Sequence, residues 1–176
     1  MNLHEFLESI ESDYLYLLYK KFNNIFPGCC LEASNILCGF IQLFYDATFV
    51  QKYITNVPYP HSYISNSKGI IIDFTSFQYI QRNGYEDVTK EALLNIARKC
   101  ECFPVSANIY LGNTVTENYV NSTFNVIDIP CFYLDDEKLL REKYTSADFI
   151  KYCNNYATKI GDMVSDYINY NVIPNL

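Results

Sequence analysis

Hydrophobic positions form two helical stripes near the start of the chain. Within residues 2–22, Leu3, Phe6, Leu7, Ile10, Tyr14, Leu17 and Leu18 recur at spacings of three and four, which predicts an amphipathic helix with one apolar face. Glu5, Glu8 and Glu11 stand early in it and Lys20-Lys21 late, the order that the helix dipole favours. The stretch from Asn23 to Gly28 breaks the period. Ala33, Ile36, Leu37, Phe40, Ile41 and Phe44 then predict a second helix over about 30–45, so apolar that a central position is expected for it.

The middle of the chain changes period. Residues 48–54 suit a strand. After Val57-Pro58-Tyr59-Pro60, two β-prone runs, 61–65 and 69–73, flank the polar turn Asn66-Ser67-Lys68 and predict a hairpin. A turn centred on Ser67 sets Ser65 opposite Gly69, Tyr63 opposite Ile71 and His61 opposite Asp73, with each opposed pair on one face of the sheet. A helix over about 89–99 capped by Thr89 or Asp87, a strand at 107–111, a short helical piece near 135–143 and a longer helix near 146–169 follow. No repeat, low-complexity tract or linker divides the chain, so one α+β domain over residues 1–176 is expected.

Composition narrows the class. Hydrophobic residues make up 49% of the 176 residues, enough for one well-buried core. With 13 Lys+Arg against 20 Asp+Glu the net charge is −7, which leaves no broad basic surface for a phosphate backbone and argues against nucleic acid as a partner. No apolar run is long enough to predict a membrane span, and the start of the chain enters its helical pattern without a basic stretch, so no signal peptide is expected. The 7 cysteines are odd in number and sit mostly inside apolar patterns; reduced thiols in a cytoplasmic protein, most of them small core residues, is the corresponding expectation. Cys100-Glu101-Cys102 has neither the spacing nor the second pair of a structural zinc site, and no glycine-rich phosphate loop is present, so no metal or cofactor is expected.

Two histidines exist, His4 and His61. His4 lies in the polar start of the first helix. His61 opens a predicted strand after a stiff proline loop, which makes it the candidate imidazole for acid–base chemistry near neutral pH. The hairpin brings Asp73 to its face, where a carboxylate holds one tautomer and stabilises the charged ring. Cys29 and Cys30 stand where a Pro-Gly break passes into a helix. The first turn of a helix offers free N–H groups and partial positive charge, which favour a thiolate and can receive an oxyanion; both cysteines share this advantage.

Phe26-Pro27-Gly28-Cys29-Cys30-Leu31-Glu32-Ala33-Ser34, then His61, then Ile71-Ile72-Asp73-Phe74-Thr75-Ser76-Phe77-Gln78-Tyr79, resembles the transglutaminase-like branch of papain-fold cysteine hydrolases, and more narrowly its small bacterial members. The resemblance covers roughly residues 24–80. It implies a papain-like fold in which a cysteine-bearing helix packs on an antiparallel sheet, with the N- and C-terminal helices outside. It selects Cys30 over Cys29 as nucleophile and gives His61 the role of general base and Asp73 that of its orienting partner. It also implies an amide side chain about six residues before the nucleophile as a second oxyanion donor, where Asn24 stands. Gln78 reads as a residue that makes structural hydrogen bonds. The sequence departs from the family in having His61-Ser62-Tyr63 where a tryptophan is frequent, and in a Phe-Pro block one residue shorter before Gly28. The function implied is thiol-dependent hydrolysis or acyl transfer on an amide bond of a protein or peptide through a thioester. Proteolysis, deamidation and transamidation all share that chemistry, and so does an effector or toxin domain with the same triad. The alternative is a binding or regulatory protein that keeps the scaffold without turnover.

Overall fold

The computed structural model describes residues 1–134 and 144–176; the short helical piece predicted near 135–143 lies outside them. The architecture is mixed helix and antiparallel sheet. Helix α1 (Leu3–Lys21) is closed at its start by a capping box, in which the Asn2 side chain accepts from the Glu5 N–H and the Glu5 carboxylate accepts from the Asn2 N–H. Helix α2 (Cys30–Phe44) is buried along nearly its whole length, as its continuous apolar sequence predicts. Strands β1 (Val50–Ile54) and β2 (His61–Ser65) pair antiparallel, and β3 (Ile71–Ile72) follows. After a 3₁₀ turn (Ser76–Tyr79) come α3 (Lys90–Arg98), β4 (Val105–Ser106), β5 (Asn108–Tyr110), β6 (Thr114–Thr116), α4 (Glu117–Thr123), β7 (Val126–Ile129) and α5 (Ser146–Tyr167).

The main sheet has the order β4-β3-β2-β1-β7, and β5 and β6 form a separate two-stranded ribbon. Helix α2 lies between this sheet and α5, while α1 packs against α5 and α3. Phe6, Phe40 and Phe149, from α1, α2 and α5, meet within 5.4 Å of one another and fix the three helices around one aromatic centre. No helix among the described residues is long and apolar enough to cross a membrane.

The hairpin register departs from the expectation by two residues. Ser65 pairs with Ile71 and Ile64 with Ile72, so Ser65 does not face Gly69 and His61 does not directly face Asp73. The turn is wider because the Asn66 side chain accepts from the N–H groups of both Lys68 and Ile70, and Gly69 takes a φ of +78°, a conformation suited to glycine. A shift of two preserves side-chain parity, so Asp73 stays on the His61 face and is reached diagonally.

A buried polar cluster fixes α2 on the sheet. Asn35 Nδ2 on α2 donates to Gln51 Oε1 on β1 at 2.7 Å and to the Pro130 carbonyl at 2.9 Å, and Asn35 Oδ1 accepts from the Phe132 N–H at 3.1 Å. Gln51 Nε2 in turn donates to Ser62 Oγ on β2 at 2.9 Å and to the Leu31 carbonyl at 3.0 Å. Each member is satisfied, which is the condition under which a polar network specifies one docking geometry instead of destabilising it. Truncating Asn35→Ala leaves Gln51 Oε1, the Pro130 carbonyl and the Phe132 N–H without this partner. The variant is expected to lose about 2–3 kcal/mol of stability in urea denaturation; a loss under about 0.5 kcal/mol, the range of ordinary surface changes, would show that the cluster does not fix the helix.

Candidate active site

Cys30 is the first residue of α2. The preceding turn reaches it by a close backbone approach: the Gly28 N–H donates to the Ile25 carbonyl at 2.6 Å, and a Cβ on Gly28 would lie 2.9 Å from that same oxygen. Glycine at 28 is therefore a steric requirement of the turn that launches the helix. Cys29, the N-cap residue, makes no side-chain capping bond. The two cysteines differ in environment. Cys29 faces the core, fully buried, and burial first, then the Glu32 and Cys30 charges, push its thiol well above the ordinary range. The Cys30 thiol faces the β2 side, with Sγ 3.9 Å from the Pro60 carbonyl.

His61 opens β2 and Asp73 follows β3. Both are almost wholly removed from solvent. His61 Nε2 lies 2.5 Å from Asp73 Oδ2. The other carboxylate oxygen, Oδ1, accepts from the Thr75 N–H at 2.9 Å, an Asx-type turn that accounts for the Asp-x-Thr spacing. The Asp73 N–H donates to the Pro104 carbonyl at 2.8 Å, which holds the residue at the end of its strand. The ring of Tyr63 lies nearly parallel to the imidazole at 6.4 Å and that of Tyr79 meets it edge-on at 5.6 Å. Tyr79 is fixed by its hydroxyl, which donates to the Tyr59 carbonyl at 2.5 Å. Tyr63 thus serves as one wall of a dry imidazole site.

Burial alone would lower the pKa of His61. The Asp73 charge and hydrogen bond, with a smaller contribution from Cys30, outweigh that and raise it to about 10. With Nε2 taken by Asp73, the second nitrogen, Nδ1, is buried and has no hydrogen-bond partner. Besides Asp73, the Cys30 side chain acts electrostatically on the ring. The structure therefore brings Cys30, His61 and Asp73 together, with the thiol turned toward the Pro60 carbonyl and not aligned on Nδ1.

A cleft of about 270 Å³ opens beside this group. Its walls come from residues 25–28 before Cys29, from Tyr59-Pro60 before His61, and from Gln78 and Arg82 after Asp73. Asn24, expected as an oxyanion donor, is exposed on the preceding turn and is not part of the cleft wall, to which Ile25 and Phe26 contribute instead. Gln78, expected to make structural hydrogen bonds, makes one with the Tyr79 side chain and also lines the cleft, where its Oε1 is buried and unpartnered. The Asp-x-Thr-x-x-Gln spacing was the signal: the 3₁₀ turn that follows Thr75 carries Gln78 back beside the triad, its N–H donating to the Thr75 carbonyl.

The other thiols are set apart. Cys100 and Cys102 are buried as a neighbouring pair, in which a hydrogen bond from Cys102 lowers Cys100 to about 7 despite burial. Among the described residues no group of three or more His, Cys, Asp or Glu side chains converges as a metal site. Comparison with models of known protein families, with curated proteins and with solved structures found no match.

Because folded His61 holds its proton more tightly than the unfolded residue, the protonated ring stabilises the fold. That contribution is complete below the ordinary value of 6.5 and is lost as pH rises toward about 10. Asp73→Asn removes the main group that holds the proton. The stability gap between the native protein and this variant, measured by urea denaturation at several pH values, is expected to narrow between pH 6.5 and 10. A gap constant across that window would contradict the assignment.

Proposed function

We propose that this chain is a thiol-dependent hydrolase or acyltransferase of the transglutaminase-like, papain-fold kind, acting on an amide bond through a thioester. The single observation that carries the reading is the buried imidazole held at Nε2 by Asp73 with Nδ1 left unpaired beside Cys30. A purely structural histidine in a dry site would have both nitrogens satisfied. A buried Nδ1 with no other partner next to a thiol is where the proton of a thiolate–imidazolium pair can be held.

In this reading a rotation of the Cys30 side chain away from the Pro60 carbonyl brings Sγ to Nδ1. The proton of the thiol is held on the His61 ring, giving a thiolate–imidazolium pair whose positive ring Asp73 stabilises before the substrate arrives. The thiolate attacks the amide carbonyl, and the uncapped N–H groups at the start of α2, led by that of Cys30, stabilise the oxyanion. His61 returns the proton to the leaving amine, and the C–N bond breaks to leave a thioester on Cys30. Water then gives hydrolysis or deamidation, and an amine gives transfer; His61 accepts the proton of either acceptor. Substrate is a protein or peptide, and the residues present supply every proton the sequence of steps needs.

Iodoacetamide at neutral pH, with the modified peptide mapped by mass spectrometry, tests this against the non-catalytic alternative. Cys30 is expected to be alkylated fastest of the seven thiols, and His61→Ala is expected to slow it by about 10²–10⁴-fold. Uniform reaction of the thiols, or labelling dominated by Cys100 with Cys30 inert, would favour a scaffold that binds without turnover.

A further inference from the structure

The cleft beside the triad carries two polar groups that the acyl-transfer steps do not use. Gln78 is 6% exposed, and its Oε1 is buried without a hydrogen-bond partner. A buried carbonyl oxygen left unpaired is costly, and a ligand N–H in the cleft would relieve it. Arg82 stands at the rim, its guanidinium carbon 3.5 Å from the centre of the Tyr59 ring. Among the described residues it belongs to no ion pair. Stacking on an aromatic face holds the guanidinium plane and leaves its N–H edges free, the arrangement in which arginine binds a carboxylate through two parallel hydrogen bonds. The remaining wall, residues 25–28, is largely apolar and carries no charge.

We infer that this cleft binds a peptidic acyl donor bearing a carboxylate, with the ligand amide N–H on Gln78 Oε1 and the carboxylate on Arg82. The inference rests on the thiol acyl-transfer reading of Cys30 and adds the class of ligand that the site selects. Arg82 is the one cation on the cleft wall of a chain whose net charge is −7, so an anion entering here meets a fixed positive charge. Gln78 and Arg82 are then specificity-determining residues and take no part in bond making.

The test uses two alkylating reagents that differ in one charge, N-(iodoacetyl)glycine and N-(iodoacetyl)glycinamide. Each forms an S–C bond with Cys30 and releases iodide with the bonding electron pair, while His61 retains the thiol proton. With rates corrected for the reactivity of the same reagents toward glutathione, the glycine reagent is expected to modify Cys30 about fivefold faster than the amide at low salt. Arg82→Gln is expected to bring that ratio to about one, and Arg82→Lys to keep part of it. Gln78→Met is expected to slow both reagents and leave their ratio in place. A general loss of structure would also bring the ratio to one, so the Arg82→Gln result counts only with urea denaturation of that variant matching the native protein. A ratio near one in the native protein, or one indifferent to Arg82→Gln, overturns the carboxylate site. Gln78→Met rates equal to native overturn the role of Gln78. If plain iodoacetamide does not select Cys30, the acyl-transfer reading fails and this inference with it; if it does and the two glycyl reagents react alike, only the subsite fails.

Discussion

Burying an imidazole against a carboxylate is the constraint around which this structure is arranged. Removing two ionisable groups from water is expensive, and a close-packed apolar pair of similar volume often stabilises a fold as well or better. The cost is offset only where geometry is tight and the remaining polar atoms are satisfied. Asp73 meets that condition: one oxygen is on His61 Nε2 and the other on the Thr75 N–H. His61 does not, since Nδ1 stays unpaired. The asymmetry leaves one buried ring nitrogen open in a pair that is otherwise satisfied.

That pair works only if α2 presents Cys30 to it at a fixed height. The Asn35–Gln51–Ser62 cluster does this, because Gln51 bonds both the Leu31 carbonyl, one residue after Cys30, and Ser62, one residue after His61. Ser34 Oγ adds a bond to the Ser62 carbonyl at 3.2 Å. Helix α2 and strand β2 are thus tied together by side chains that flank Cys30 and His61. The same economy builds the cleft, whose walls are the segments adjoining Cys30, His61 and Asp73.

Much of this was legible in the sequence. Helical periodicity marked α1, α2 and α5, α3 was expected with a cap at Thr89 or Asp87 and is capped by Thr89, and β1 and β2 were marked by β-prone runs between turn residues. The two-residue slip of the β2–β3 hairpin arose from Asn66, whose side chain bonds backbone N–H groups as far as Ile70 and so widens the turn; residue type alone did not distinguish this from a tighter turn at Ser67. Strands β4, β6 and β7 went unread because they are short and largely half-exposed, so no alternation marks them, and β7 owes its place to pairing with distant β1. At the candidate site, the proximity of His61 and Asp73 followed from the hairpin, since a slip of two residues keeps both on one face. What could not be read was set by tertiary packing: the displacement of Asn24 from the cleft, the unpaired oxygen of Gln78 and the stacking of Arg82 on Tyr59.

The most direct test of the central claim is the protonation state of His61 itself. Histidine-selective ¹⁵N NMR across a pH titration reports both ring nitrogens separately. A doubly protonated ring at neutral pH that persists well above the ordinary histidine range, and that reverts toward it in Asp73→Asn and in Cys30→Ser, is the result predicted here. A neutral ring titrating near 6.5 in the native protein and unmoved by either substitution would contradict it.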